Sequence, residues 1–196
     1  MTDGLLIIFV KNPIAGQVKT RLAATVGEAR ALEIYRKLLD HTTKITIELP
    51  IDKVVYYSNF IDGNDHWDQI NYQKQLQTPG GLGQKMSAAF EWGFQSGYRE
   101  ICIIGSDCYE LTPEIIMNGF QALSTHDAVL GPTRDGGYYL LGMKKMREEL
   151  FQKKNWGTDS VAADTLNDLK RLSLEYQILE LLNDVDLEED LGSYEL

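Results

Sequence analysis

Apolar and polar positions fall into blocks along the chain, and the spacing within the blocks switches repeatedly between two periods. Leu5-Leu6-Ile7-Ile8-Phe9-Val10 is an unbroken apolar run, the pattern of a strand buried on both faces. A loop with Pro13 and Gly16 follows. Residues 28–41 then take helical spacing, with Ala31, Ile34, Tyr35, Leu38 and Leu39 on one stripe. Residues 53–58 read as a second strand, 59–68 as a polar loop and 72–77 as a short strand. Gly80-Gly81-Leu82-Gly83 opens a helix whose apolar face holds Met86, Ala89, Phe90 and Phe94. Residues 100–105 form the clearest central strand. Thr112-Pro113-Glu114 then starts a helix, with Thr as N-cap and Pro at the first helical position. Strands at 127–131 and 138–143 come next, then a helix capped by Thr158 and running to about Lys170, and an acidic tail.

Alternation of this kind predicts an α/β protein: a three-layer sandwich with a mostly parallel central sheet and helices on both faces. No repeat, low-complexity linker or compositional break divides the chain, so residues 1–196 read as a single domain. Ligands of such folds sit beyond the carboxyl ends of the strands. That rule selects the loops after Val10, Gly105 and Gly131.

Composition narrows the partners. The chain is 43% hydrophobic and 24% charged, as globular proteins are, and 29 acidic residues against 19 basic ones give a formal charge of −10. Such a surface repels phosphate backbones and anionic lipid, which argues against nucleic acid and membrane partners. A small phosphorylated ligand then needs a local cation cluster or a metal. The longest apolar stretches are strand-sized rather than membrane-spanning. Asp3 stands where a secretory signal carries basic residues. Cys102 and Cys108 flank a strand end where a disulfide would bend the chain back on itself, so they read as reduced. The expected location is the cytoplasm.

Four constellations carry candidate chemistry. Lys11-Asn12-Pro13-Ile14-Ala15-Gly16-Gln17-Val18-Lys19-Thr20-Arg21 places three cations and a Gly between a buried strand and a helix, an arrangement suited to a diphosphate. A solvated basic loop would look the same, and the spacing is not that of a Walker A loop. Gly105-Ser106-Asp107-Cys108 ends the central strand. Because Thr112 already caps the following helix, Asp107 is free to hold Mg²⁺ or Mn²⁺ on diphosphate oxygens. Thr133-Arg134-Asp135-Gly136-Gly137-Tyr138 reads as a hairpin turn that can also wall a pocket. Asp184 and Asp186 alternate around Val185, which aims both carboxylates the same way from an extended segment; a solvated acidic run is the plain alternative. His41, His66 and His126 lack metal-ligand spacing, and Cys108 lacks a base beside it. Trp67, Trp92 and Trp156 read as packing residues, with Trp156 also placed to line an acceptor site.

These motifs resemble, in order and over nearly the whole chain, an uncharacterised bacterial family of the GT-A glycosyltransferase superfamily, related to the guanylyltransferases of molybdenum-cofactor and deazaflavin-cofactor synthesis. The matching runs are Phe9–Lys11 through Val18–Leu22, Leu82–Met86, Ile104–Cys108, Gly131-Pro132 with Asp135–Tyr138, and Asp184–Asp186. The resemblance implies that Lys11, Lys19 and Arg21 face the nucleotide phosphates, with Gly81, Leu82 and Lys85 on the nucleotide-binding side. It implies Asp107 as main metal ligand, Asp184 or Asp186 as a second carboxylate, and Gly136, Gly137 and Tyr138 beside Asp135 on the acceptor side. The chain departs from the family pattern at Gly81 (usually Asp), Lys85 (Arg), Tyr109 (Pro) and Leu187 (Thr).

The expected activity is metal-dependent transfer from a nucleotide-diphosphate-sugar to a small acceptor, with Asp107 on the metal and Asp135 as general base. Two alternatives share the site: a nucleotidyltransferase that joins a nucleoside triphosphate to a phosphorylated small molecule and releases pyrophosphate, and a degenerate nucleotide-binding protein without turnover. A homodimer is compatible with all three.

Overall fold

The protein is described by a computed structural model covering residues 3–68, 70–192, 194 and 196. Strands β1 (Gly4–Val10), β2 (Asp52–Tyr57), β3 (Gln73–Leu76), β4 (Glu100–Ile104), β5 (Ala128–Pro132), β6 (Tyr138–Met143) and β7 (Tyr176–Ile178) form one sheet in the order β3-β2-β1-β4-β6-β5-β7. Helices α1 (Thr20–Val26), α2 (Glu28–Thr46), α3 (Leu82–Gln95), α4 (Pro113–Leu123) and α5 (Val161–Arg171) pack around it. β1 pairs in parallel with β2 and β4, β2 with β3, and β5 with β7; only β6 runs antiparallel, between β4 and β5. The mostly parallel α/β sheet expected from the sequence is therefore present.

The unbroken apolar run of β1 has a direct structural cause. Leu6, Ile8 and Val10 lie in one buried cluster with Ile115, Ile116 and Phe120 of α4, while Leu5 and Ile7 lie in another with Met86, Ala89 and Phe90 of α3. Alternate side chains leave opposite faces of a strand, so a strand covered on both sides must be apolar at every position. Two helical layers with the sheet between them make the three-layer sandwich.

The structure corrects several boundaries. Residues 20–26 form a separate helix where a loop was expected, and Gly27, at φ 85°, breaks it from α2. α2 continues to Thr46 rather than stopping near His41. Its last turns contain β-branched threonines, yet the hydroxyls of Thr42, Thr43 and Thr46 donate to the carbonyls of Leu38, Leu39 and Thr42. Those bonds bury the hydroxyls without unpaired groups. Thr158 does not cap α5: its hydroxyl donates to the Asn155 carbonyl, and the helix begins at Val161. β7 and two short 3₁₀ turns, Glu148–Phe151 and Glu188–Leu191, were not expected. Thr112 caps α4 as expected, accepting from the Ile115 amide. Trp67 is fully packed, and Trp92 and Trp156 pack half-buried against the α3-side core. Among the described residues, no helix is long and apolar enough to cross a membrane, and Cys102 and Cys108 are free and buried.

Candidate active site

The loops after β1 and β4 meet because those strands are neighbours in the sheet. Lys19 ends the β1 loop and does so in left-handed conformation, φ 46° and ψ 46°. That region costs a residue with a β-carbon about 1–2 kcal/mol and is stored preferentially at functional sites. Buried Val18 and Leu22 anchor the chain on either side. The turn carries the Lys19 ammonium inward, where it lies 2.9 Å from Asp107 Oδ2 and 3.8 Å from Asp186 Oδ1. Arg21, more exposed, donates to Asp186 Oδ2 at 2.7 Å. Lys11 is solvent-exposed at the start of the loop.

Asp107 has its own reason for a glycine neighbour. A β-carbon at Gly105 would lie 2.8 Å from Asp107 Oδ1, so the strand end must be bare for the carboxylate to fold back over it. Partial loss of hydration opposes ionisation of Asp107, but the Lys19 charge and hydrogen bond win and hold the carboxyl below its usual range. Lys19 shows the complementary balance: burial works against its charge, and Asp107 outweighs it, so the ammonium is held above its ordinary value.

The tail supplies two more carboxylates. The Val185 amide donates to the Asp107 carbonyl at 2.9 Å, and the Val185 side chain is fully buried beside Val18, Leu22 and Tyr35. With Val185 pointing inward, Asp184 comes within electrostatic reach of Asp107, and Asp186 shares Lys19 with it. Asp190 accepts from the amides of Asp186 and Leu187 and fixes the turn that presents them. Asp184 differs from its neighbours: its Oδ1 is buried with no hydrogen-bond partner. Burial first, and the Asp107 charge second, push its carboxyl well above the usual range.

Asp135 lies near enough to Asp184 to act on it electrostatically. Its Oδ1 also serves the β5–β6 turn, accepting from Thr133 Oγ1 at 2.5 Å and the Gly137 amide at 3.0 Å. The turn reading of this segment holds, with the Thr133 amide donating to the Gly137 carbonyl at 3.0 Å. Gly136, at φ 87°, is pressed against Asp159: a β-carbon would sit 1.9 Å from its carbonyl oxygen. That contact brings the loop carrying Trp156 alongside. Tyr138 packs edge-on to Trp156 at 6.4 Å between ring centres. Its hydroxyl donates to Met86 Sδ at 3.8 Å, and burial pushes its pKa far up. Gly81 is the exposed N-cap of α3 and receives Gln84 Oε1 on its amide, Leu82 is exposed beside it, and Lys85 is half-buried one turn on.

The structure thus brings Lys19, Arg21, Asp107, Asp184, Asp186 and Asp135 to one end of the sheet. Tyr109, where the family pattern has Pro, packs at a tilt against His41 and Tyr194 with ring centres 4.5 and 4.9 Å away. Leu187 opens the 3₁₀ turn that holds Asp186. Sequence reasoning missed Asn12 and Tyr35. Asn12 is buried; its Oδ1 accepts from the Asn59 and Phe60 amides and its Nδ2 donates to the Phe60 carbonyl, which ties the β1 loop to the segment after β2. The sequence offered only an Asn-Pro pair just after a buried strand, and nothing in it reports that Asn12 is buried.

The carboxylates were tested as a cation site on two observations. Asp184 Oδ1 is an orphaned buried acceptor, and the donor set is all oxygen, the chemistry Mg²⁺ and Mn²⁺ take. Among the described residues no three His, Cys, Asp or Glu side chains are grouped so that they could hold a metal ion together. The protein's own contribution is thus limited to one or two carboxylates, a number that suffices for Mg²⁺ where substrate oxygens and water complete the shell.

Comparison with known proteins agrees with the fold. A protein from Desulfovibrio desulfuricans G20, provisionally described as a nucleotide-diphospho-sugar transferase, is 30% identical, with a TM-score of 0.90 over 97% of this chain and 85% of that one. The 4-diphosphocytidyl-2C-methyl-D-erythritol synthase of Anaerococcus prevotii superposes with a TM-score of 0.60 at 11% identity, over 96% of this chain and 92% of that one. The inositol-1-phosphate CTP transferase of T. maritima gives 0.56 at 11% identity, over 96% and 91%. At 11% identity the last two speak to the fold alone. No curated protein matches the chain in sequence. The architecture is that of the nucleotide-diphospho-sugar transferase fold. A family profile matches residues 42–158, and the chain belongs to that family, DUF2064, described as an uncharacterised protein conserved in bacteria.

Proposed function

We propose that this chain, acting as one domain over residues 1–196, is a transferase that takes a nucleotide-diphosphate-sugar as donor and glycosylates a small acceptor. The observation that carries the reading is the convergence of Asp107, Asp184 and Asp186 with Lys19 and Arg21 at the carboxyl end of β1 and β4. The 30% identical protein described as a nucleotide-diphospho-sugar transferase supports it.

Asp107 and Asp184 would hold Mg²⁺ or Mn²⁺, with Asp186 beside them. A bound divalent cation would supply charge stabilisation for the nucleoside diphosphate as it departs from the sugar carbon. Lys11, Lys19 and Arg21 supply the protein's own positive charge to the same oxygens. Gly81, Leu82 and Lys85 flank the nucleoside. On the acceptor side, Gly136, Gly137 and Tyr138 would shape the pocket, and Asp135 Oδ2 would take the proton of an attacking hydroxyl while Oδ1 holds the turn. The protein is expected to work in the cytoplasm, where nucleotide-sugars are made.

A second reading takes Asp184 and Asp186 as a further carboxylate site beside Asp107. Two carboxylate positions suit the two cations of an in-line displacement, so the site would let a phosphorylated acceptor attack a nucleoside triphosphate. The readings differ in product: nucleoside diphosphate for the first, pyrophosphate for the second.

Isothermal titration with UDP, GDP and CDP and their sugars, with Mn²⁺ and with EDTA, tests both. Wild type should bind one nucleotide only with metal, and Asp107→Ala should abolish binding. Folded wild-type protein that binds none of them would overturn both readings.

A further inference from the structure

One buried hydroxyl outside the charged cluster touches both of the loops that build it. Tyr35 lies on α2 and is 3% exposed. Its oxygen accepts from the Lys11 amide at 2.8 Å, its proton reaches the Lys11 carbonyl at 3.1 Å, and Ser106 Oγ lies 3.3 Å away. A phenol has one proton to donate and can accept more than one hydrogen bond. All three contacts are satisfied together if Ser106 donates to it. Burial drives the phenol pKa up, so it stays protonated and keeps its donor role.

The position matters more than the count. Lys11 opens the cation-bearing loop after β1, and Ser106 immediately precedes Asp107. β1 and β4 are neighbours through Ile8 and Ile104 but end there, so beyond that register the sheet's own ladder no longer fixes one loop against the other. The Lys19–Asp107 ion pair is the second link, and it involves groups proposed to meet substrate. Tyr35 is a link that substrate does not consume. Its ring is packed among Val18, Leu22, Ile34, Leu38 and Val185, a cluster that also carries the tail.

We propose that Tyr35 is a positioning residue that holds the β1 loop and the Ser106–Asp107 turn in mutual register for the nucleotide site. This rests on the transferase reading for its functional half, and on geometry alone for its structural half. It does not touch the reacting atoms. It acts through Lys11 and Asp107.

The test uses Tyr35→Phe, which keeps the ring and removes the hydroxyl, with Ile34→Val as a control on the same buried face that bonds neither loop. Hydrogen exchange in peptides covering residues 10–21 and 104–109 should rise in Tyr35→Phe and not in Ile34→Val. Affinity for the nucleotide that wild type binds should fall by about fivefold or more, the low end of the expectation for leaving a buried amide unpaired, with no comparable change in Ile34→Val. Unchanged exchange at 104–109, or an equal rise in the control, would overturn the proposal. If wild type binds no nucleotide while exchange still rises only in Tyr35→Phe, the link between the loops stands and the transferase reading fails. Ser106→Ala cuts the far end of the same bridge and carries the test should Tyr35→Phe not fold.

Discussion

Lys19 and Asp107, 88 residues apart in sequence, form a 2.9 Å ion pair in which the lysine side chain is only 6% exposed and the aspartate 40%. The pair therefore has one dry end and one wet end. Removing the lysine leaves Asp107 without its ion-pair partner, while Asp186 keeps Arg21. Lys19→Met should lower stability by about 1–3 kcal/mol, the range for a lost charged hydrogen bond, read as a denaturant midpoint. Lys19→Met combined with Asp107→Asn should recover part of that loss, since the unpaired carboxylate is then gone. Strict additivity of the two substitutions would show that the pair is not coupled.

Asp184 makes the opposite kind of prediction. Its folded pKa is raised, so the native state keeps a proton that the unfolded chain gives up above about pH 4. Between the two pKa values the folded state binds more protons, and stability falls as pH rises. Its contribution is thus fully present only below the unfolded pKa. Asp184→Asn should raise the melting temperature at neutral pH and flatten the pH dependence on the alkaline side of pH 4. It should also weaken Mn²⁺-dependent nucleotide binding. A variant less stable than wild type at pH 7 would mean that the orphaned Oδ1 has a partner in solution.

Much of this was legible in the sequence. β1, β4 and the α2 stripe announced themselves because a doubly buried strand and a half-buried helix have different apolar periods, and strand-end topology then picked out the three site loops. The misses have local causes. α1 is seven residues long with one fully buried position, Leu22, so it carries no stripe. β7 is a three-residue edge strand, half-buried at best. Lys19 reads as a solvated cation until its left-handed turn is known. Tyr35 was read as an apolar stripe residue, correctly for its ring, because nothing in helical spacing reports where a hydroxyl ends.

Asp135 holds the β5–β6 turn and, in the proposed reaction, also serves as base; one substitution can separate the two. Asn at 135 keeps an oxygen for Thr133 and the Gly137 amide but cannot take a proton, whereas Ala loses both roles. Asp135→Asn should keep stability within about 0.5 kcal/mol of wild type, as a substitution that preserves its contacts does, and lose turnover about a hundredfold or more, the scale of a general base. Asp135→Ala should lose both. Undiminished turnover in Asp135→Asn would assign the residue to the turn alone.

Gly136 tests whether the Trp156 loop belongs to the acceptor side. At φ 87° any other residue is strained, and its β-carbon would meet the Asp159 carbonyl at 1.9 Å. The Ala162 amide also donates to the Gly136 carbonyl at 2.9 Å, so the same residue seats the start of α5. Neither backbone can yield cheaply, because the β5–β6 ladder fixes one side and α5 the other. Gly136→Ala should therefore cost more than the roughly 1 kcal/mol of left-handed strain alone, and it should push residues 155–160 off the turn. Trp156 fluorescence reports that displacement directly, since its partner Tyr138 stays in β6. A red shift accompanied by a raised acceptor KM, with donor affinity unchanged, would place the loop on the acceptor side. A red shift with weakened donor binding and an unchanged acceptor KM would place it with the nucleotide instead.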